Sequence, residues 1–200
     1  MTKKPQLLAP AGGREQLIAA VRSGADAVYL GAGGFNARAG AENFGDGALR
    51  DAVAYCHGRG VRVHVTLNTL VTDRETSALL DQLEEIAESG ADAVIVQDLG
   101  VAAMARRCCP ELPLQASTQL SIHNAAGARA MKDLGFSCIV LARELTGTEI
   151  AALHREAGEE LELEAFVHGA LCMSLSGQCY LSAMLGERSG NRGRCAQPCR

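Results

Sequence analysis

The sequence contains no tryptophan, and its aromatic residues amount to three tyrosines and four phenylalanines among 200 residues. Proteins that bind single-stranded nucleic acid stack its bases on aromatic side chains, so a stacking platform is not expected here. Neither sign of charge dominates, because 19 Lys and Arg stand against 23 Asp and Glu, for a net charge of −4 at pH 7. This balance still allows a nucleic-acid partner that binds a local basic patch.

A long apolar run is also missing. The N-terminus, Met1–Pro5, leads directly into a strand-like stretch without the apolar region of a signal peptide, and no apolar run is long enough to span a bilayer. We therefore expect a cytoplasmic protein without membrane contact. Thiols stay reduced in that compartment, so the eight cysteines are not expected to form a disulfide framework.

The sequence motifs of common hydrolases are absent. There is no H-E-x-x-H, no G-x-S-x-G, and no S-x-x-K joined to the companion motifs of β-lactamases. Cys172 follows His168 closely, but catalytic dyads of this kind come together in the fold rather than in the sequence. The residues themselves therefore give peptidase chemistry little support.

What the sequence does contain is a repeated unit. Ser23–Gly31 (SGADAVYLG) is echoed by Ser89–Gln97 (SGADAVIVQ), and weaker copies lie at 59–65 and 134–141. Each has a glycine where a helix would end, followed by a short apolar run suited to a buried parallel strand. The pattern predicts strands at 6–9, 27–30, 62–67, 93–97, 113–117, 138–142 and 161–167, and helices at 14–23, 48–59, 75–89, 101–108, 124–134 and 146–156.

Strict alternation of strands and helices predicts an α/β fold with a parallel sheet, either a (β/α)8 barrel or an open doubly wound sheet. No G-x-G-x-x-G follows the first strand, and the regular repeat with polar residues after nearly every strand favours the TIM-type barrel. About seven βα units are visible. We expect residues 1–168 to form the barrel scaffold and 169–200 a cysteine-rich segment that continues in a longer parent protein, where the barrel would close.

Polar residues at the strand ends are the candidates for substrate binding, because the carboxyl ends of barrel strands meet at the rim that carries active sites. Two of them are arginines, which suit a bidentate grip on a carboxylate. The simpler alternative is that such residues only cap helices, as Thr146 and Asp73 are expected to do. The predicted substrate-binding residues are Arg38, Asn68, Gln97, Gln119, Asn124 and Arg143, and Ser117, Thr118 and His123 share the same rim.

Half of the cysteines lie in the last fifth of the chain, at Cys172, Cys179, Cys195 and Cys199, on segments rich in glycine. Their spacing matches neither a zinc ribbon nor a bacterial ferredoxin, so an iron–sulfur cluster, a structural zinc and unconnected thiols all remain open. The other four, Cys56, Cys108, Cys109 and Cys138, fall within helix or strand patterns and are expected to be small buried hydrophobes.

Residues 164–172 (EAFVHGALC) and 176–182 (SGQCYLS) resemble the signature of the peptidase U32 (collagenase-like) family. Other blocks of that family are similar to residues 7–12 (LLAPAG), 24–29 (GADAVY), 96–100 (VQDLG) and 140–145 (VLAREL). The resemblance extends over the whole chain.

The resemblance implies oxygen-independent hydroxylation of tRNA wobble uridine, 23S rRNA cytidine or the ubiquinone ring, with prephenate as the oxygen source. It also implies a [4Fe–4S] cluster on Cys172, Cys179 and Cys195, with Cys199 or a residue further along as the fourth ligand. Residues 189–200 (SGNRGRCAQPCR) look more like the RNA-modifying branches, and most like the rRNA cytidine type.

We therefore predict a cluster-bearing barrel that hydroxylates a pyrimidine in RNA. Arg38 or Arg143 would hold a small dicarboxylate such as prephenate, and His168, Glu144 and Asp98 are the candidate catalytic groups. One alternative is a collagenase-like peptidase. The other is a non-catalytic binding module whose cysteines hold zinc and only brace the fold.

Overall fold

The structure is a computed structural model that describes residues 4–45, 47–169 and 171–200. Met1–Lys3, at the N-terminus, and Ala170, in the stretch that resembles the family signature, lie outside the described residues. Strands and helices alternate from the first strand to the seventh, as predicted. The strands are β1 (Leu8–Pro10), β2 (Ala27–Gly31), β3 (Arg62–Leu67), β4 (Ala93–Val96), β5 (Leu114–Ala116), β6 (Phe136–Val140) and β7 (Glu162–Glu164).

The helices are close to the predicted ones. They are α1 (Arg14–Arg22), α2 (Ala48–His57), α3 (Thr76–Glu88), α4 (Leu99–Cys108), α5 (Ala125–Asp133), α6 (Gly147–Ala157) and α7 (Leu181–Gly186). The last of these was not predicted, because six residues are too few for a periodic pattern to be recognised. In the part of the chain that the structure describes, no helix is both long and apolar enough to cross a membrane.

The seven strands form one parallel sheet in the order β1 to β7. A doubly wound sheet would reverse its strand order at a switch point, whereas a (β/α) barrel adds each strand beside the last. The unreversed order therefore confirms the barrel-type architecture. Among the described residues β1 pairs only with β2 and β7 only with β6, so the sheet is an open barrel of seven strands.

Alternate residues of each strand face the helices and the inside of the curved sheet. In β3, Val63, Val65 and Leu67 join the core that the helices cover. The residues between them, His64 and Thr66, are outside that core and are also buried. The barrel interior is thus partly polar.

The glycine of the repeated unit ends a helix, as the sequence predicted. Gly24, Gly60, Gly90 and Gly135 follow α1, α2, α3 and α5, and each has a φ between 71 and 89°. L-residues with a side chain rarely adopt this left-handed conformation, so glycine is the residue that turns the chain from helix to strand at low cost.

The seventh strand is shorter than predicted. It covers only Glu162–Glu164 instead of 161–167, because its ladder with β6 stops at the pair Val140 and Glu164. Residues 165–169 are exposed and continue without regular structure toward the cysteine-rich segment.

Candidate functional site

The predicted site residues follow different strands, and the parallel sheet brings them to its carboxyl edge. Asn68 comes directly after β3 and Gln97 directly after β4. Gln119 lies in a 3-10 turn after β5, while Arg143 and Glu144 follow β6. Because all seven strands are parallel, these positions share one rim.

Arg38 lies in the loop after β2 and is held against an aromatic ring. Its guanidinium carbon is 4.7 Å from the centroid of the Tyr29 ring, and its Nη2 donates to the Tyr29 hydroxyl at 2.6 Å. A cavity of about 360 Å³ opens beside it, with Gly12, Gln16 and Glu42 in its wall. Stacking and hydrogen bonding restrict the arginine side chain, which leaves it pre-organised toward this cavity.

Asn68 stabilises the loop that carries Arg38. Its Oδ1 accepts a hydrogen bond from the backbone amide of Ala37 at 2.9 Å. The buried Asn36 also stabilises this loop, because its Oδ1 accepts a hydrogen bond from the backbone amide of Arg38 at 2.8 Å. These contacts make Asn68 a support for Arg38.

Asp98 and Asn124 cap helices, which was the simpler alternative for rim residues. Oδ1 of Asp98 accepts from the amides of Gly100 and Val101 at the start of α4, and Oδ2 accepts from Val71 at 3.1 Å. Oδ1 of Asn124 accepts from Gly127 at 2.8 Å at the start of α5. Both oxygens of Asp98 thus bind backbone, and its catalytic role stays a prediction.

Thr146 and Asp73 were both expected to cap helices, and the structure confirms this for Thr146 only. Thr146 forms a capping box with Glu149, as predicted for a cap. Asp73 lies inside a 3-10 turn whose cap is Thr72, so its prediction was wrong by one position.

Two glutamines present buried amide atoms without a hydrogen-bond partner. Nε2 of Gln97 and Oε1 of Gln119 are both inaccessible to solvent and unpaired among the described residues. They follow β4 and β5, which are neighbours in the sheet. Buried polar atoms normally find a partner, so an unpaired donor and an unpaired acceptor here suit a polar ligand or ordered water.

Arg143 and Glu144 meet at a residue that sequence reasoning missed, Ser176. Nε of Arg143 donates to Ser176 Oγ at 3.0 Å, and Glu144 Oε1 accepts from the Ser176 amide at 2.8 Å. Nε2 of His123 lies 3.3 Å from Glu144 Oε2 on the other side. The available signal was the position of Ser176 within the quoted signature.

The surroundings of Glu144 favour its ionised form. Partial burial opposes ionisation, but hydrogen bonds from backbone amides and from the Ser176 hydroxyl, together with His123, outweigh it. The pKa of the Glu144 carboxyl is therefore below its ordinary value. At neutral pH this carboxylate accepts hydrogen bonds and cannot supply a proton.

The four cysteines of the terminal segment are free thiols in neighbouring stretches of chain. Cys172, Cys195 and Cys199 are exposed and Cys179 is half-buried. A guanidinium nitrogen of Arg200 donates to the carbonyl of Leu171, next to Cys172, and the amide of Ala196 donates to Ser182 Oγ at 2.9 Å. Hydrogen bonds thus connect the stretch around 195–200 with those around 172 and 182.

The chemistry of these donors fits a soft metal or an iron–sulfur cluster. The Cys172 thiol has a lowered pKa because the Ser174 amide and the guanidinium groups of Arg143 and Arg200 favour the thiolate. Cys195 Sγ accepts from the amide of Gln197 at 3.3 Å. Thiolates with such N–H donors are the usual cluster ligands. Within the described ranges, however, no three His, Cys, Asp or Glu side chains are close enough to hold a metal ion.

Of the other four cysteines, all predicted to be buried, only two are fully buried. Cys56 and Cys138 are buried, as expected, and burial raises the pKa of their thiols to about 11 and about 12. Cys109 is half-buried. Cys108 is exposed at the end of α4, so its predicted burial was wrong.

His168 is exposed and follows β7 in the short irregular stretch before Cys172. Several large apolar side chains between residues 166 and 185 are also exposed, among them Val167, Met173 and Met184. The terminal segment thus combines accessible thiols with an apolar surface.

The family model described as "Peptidase family U32" matches residues 12–200. The chain is 42% identical over 98% of its length to "23S rRNA 5-hydroxycytidine C2501 synthase" of Escherichia coli, and 36% identical over its full length to "tRNA hydroxylation protein P1" of Bacillus subtilis. It is also 36% identical over 98% of its length to "Collagenase" of Porphyromonas gingivalis. It covers 29%, 47% and 49% of these three proteins, less than half of each.

Among solved structures, the U32 peptidase Mk0906 superposes with a TM-score of 0.65 at 17% identity, over 82% of this chain and 70% of that one. At this identity the similarity concerns the fold alone.

Proposed function

The chain belongs to peptidase family U32, and from this premise we propose that it hydroxylates a pyrimidine base in RNA. The main support is its 42% identity, over 98% of its length, to a protein named as a 23S rRNA 5-hydroxycytidine synthase. A second relative is named as a tRNA hydroxylation protein, so 23S rRNA cytidine and tRNA wobble uridine are both candidate substrates. An RNA substrate agrees with the expected cytoplasmic location.

We propose that Cys172, Cys179, Cys195 and Cys199 hold a [4Fe–4S] cluster. The donor set supports this assignment, because thiolates on glycine-bearing segments with N–H donors suit iron–sulfur ligation. When bound, the cluster would supply one-electron chemistry beside the rim. Zinc on the same thiols, bracing the fold without catalysis, is the alternative occupant.

Arg38 is the group we assign to the carboxylate of a small dicarboxylate co-substrate of the prephenate type. It borders a cavity of about 360 Å³ and is pre-organised by Tyr29. We assign Gln97 and Gln119 to the pyrimidine edge because they follow neighbouring strands at the rim; their unpaired Nε2 and Oε1 are inaccessible to solvent and would reach a base only if the side chains turned. Pyrimidines carry both kinds of group on their pairing edge.

We assign proton acceptance to Glu144 because its carboxylate is ionised at neutral pH, although the lowered pKa of this carboxyl makes it a weak base. His168 remains a candidate for the same task because it is accessible and precedes Cys172. Neither assignment needs Asp98, whose oxygens bind backbone amides.

The peptidase alternative has its own supporting observation, the 36% identity to a protein named collagenase. The most plausible hydroxyl nucleophile near the site is that of Ser176, which is fully buried. Its Oγ accepts a hydrogen bond from Nε of Arg143 and lies 3.2 Å from Oε1 of Glu144. Because it is fully buried, this serine lacks the access to substrate that a nucleophile in acyl transfer requires, which weighs against the peptidase alternative.

Mass spectrometry of cellular RNA tests the proposal. A host strain that lacks its own U32 hydroxylases would express the wild-type chain or its Cys172→Ala variant. We expect hydroxylated cytidine in 23S rRNA, or hydroxylated uridine in tRNA, with the wild type alone. Unmodified RNA in both strains, together with cleavage of gelatin by the purified protein, would support the peptidase instead.

A further inference from the structure

Ser176 is fully buried, and all of its polar groups have partners at the rim. Its amide donates to Glu144 Oε1 at 2.8 Å, and its hydroxyl lies 3.2 Å from the same oxygen. The hydroxyl oxygen accepts from Nε of Arg143 at 3.0 Å. The Ser176 carbonyl accepts from the hydroxyl of Ser121. One short residue of the cysteine-rich segment is therefore bound by the loops after β5 and β6.

The next residue packs its backbone directly on the same rim. Gly177 has a φ of 77°, and a Cβ at this position would collide with the backbone carbonyl of Gln119. Gln178 adds a hydrogen bond from its Nε2 to Ser121 Oγ at 3.3 Å. Both the left-handed conformation and the close approach require glycine here.

The position of this contact in the chain ties it to the proposed cluster ligands. Ser176 lies between Cys172 and Cys179, and its partners Arg143 and Glu144 are candidates for the substrate side of the rim. The Glu144 carboxylate and the Arg143 guanidinium both contact the Ser176 hydroxyl. Ser176 therefore holds these two side chains against the stretch of chain that runs from Cys172 to Cys179.

We propose that Ser176 is a positioning residue that aligns the cysteine pair Cys172 and Cys179 with Arg143 and Glu144. This role rests on the proposed function, because it concerns the alignment of a cluster with substrate-binding groups. Ser176 does not contact the reacting atoms. Its contribution is geometric, and displacements of about 1 Å are enough to reduce turnover about a hundredfold.

The test compares Ser176→Ala with Ser89→Ala in the whole chain. Ser89 is also buried, but its hydroxyl donates only to the carbonyl of Ile86, far along the chain from the rim loops. We expect Ser176→Ala to retain iron and a cooperative unfolding transition, to lower kcat about tenfold or more, and to leave KM for RNA within about twofold. Ser176→Thr, which restores the hydroxyl, should recover part of kcat. Equal kcat in the two alanine variants would overturn the proposal.

A second measurement is independent of RNA chemistry. Hydrogen exchange of the apoprotein should be faster over residues 171–179 in Ser176→Ala than in wild type and Ser89→Ala, with exchange elsewhere unchanged. Equal exchange in all three proteins would overturn the positioning role whatever the RNA shows. If exchange is faster in Ser176→Ala but even the wild type leaves RNA unmodified, the proposed function would be refuted. The positioning of residues 171–179 by Ser176 would still stand.

Discussion

The guanidinium of Arg38 stacks on the ring of Tyr29 at 4.7 Å and donates to its hydroxyl at 2.6 Å. Tyr29 belongs to β2 and pairs with His64 of β3, so a rigid strand holds an arginine that follows it in a loop. Burial raises the pKa of the Tyr29 hydroxyl, against the opposing effect of Arg38, so the hydroxyl stays protonated and the arginine keeps its partner.

We predict that Tyr29→Phe weakens the binding of a small dicarboxylate such as prephenate about tenfold, because a hydrogen bond to a charged group contributes about 1.5 kcal/mol or more. Isothermal titration calorimetry measures the change. Tyr55→Phe is the matched control, since its ring also stacks on an arginine, Arg59, but on the outer helix α2. Equal affinities in wild type and Tyr29→Phe would show that the Tyr29 hydroxyl does not pre-organise Arg38 for this carboxylate.

Glu164 should make the protein less stable at pH 7 and above than at pH 4.5. Burial at the end of β7 raises the pKa of its carboxyl from 4.5 to about 7. The unfolded chain therefore ionises Glu164 first, and folding stability decreases as the pH rises from about 4.5 to about 7, by up to about 3 kcal/mol. Urea unfolding at pH 5 and pH 8 should show that Glu164→Gln stabilises the protein mainly at pH 8.

The neighbouring Glu162→Gln serves as the control for this titration, because Glu162 is exposed on the same strand. It should change stability little at either pH. A Glu164→Gln variant with the same pH dependence as wild type would show that folding does not raise the pKa of Glu164.

Removing the capping hydroxyl of α6 should cost stability without touching the site. Thr146 accepts from the Glu149 amide at 3.3 Å, and Glu149 Oε2 accepts from the Thr146 amide at 2.8 Å. We predict that Thr146→Ala lowers the free energy of unfolding by about 1 kcal/mol. Thr148→Ala, exposed on the first turn of the same helix, should lower it less. Equal losses in chemical denaturation would contradict the capping role.

Iron content should depend on at least three cysteines of the terminal segment. After anaerobic reconstitution, we predict that Ser substitution of Cys172, Cys179 or Cys195 lowers iron and sulfide content to background. Cys108→Ser is the control, because this thiol is exposed but lies on α4. Cys199→Ser decides whether the fourth ligand lies in this chain. Full iron content in Cys172→Ser would contradict the cluster assignment, and one zinc per chain would support the bracing alternative.

The sequence was sufficient for the architecture because the fold is built from a local repeat. Each copy combines a helix end, a left-handed glycine such as Gly24 and a buried strand, and local pattern determines all three. It was insufficient for the site because side-chain partners there are distant in sequence. Ser176 meets Arg143 from 33 residues away, and no periodicity encodes that contact.

The same reasoning applies to two residues for which the structure shows a capping contact. Asp98 was predicted as a catalytic group and Asn124 as a substrate-binding group because they come after strands, yet the same position is where helices need caps. Only the observed hydrogen bonds separate the two roles. For Gln97 and Gln119, the unpaired amide atoms are likewise a property of the packed structure.

The most direct test of the central claim is a reaction with purified components in the absence of O2. The reconstituted wild-type chain, a chemical reductant, prephenate and an RNA substrate are incubated, and the nucleosides are analysed by mass spectrometry. The account predicts a pyrimidine that gains one oxygen atom only when both the intact cysteines and prephenate are present. The same product from Cys172→Ala, or no product from the iron-loaded wild type with either rRNA or tRNA, would contradict it.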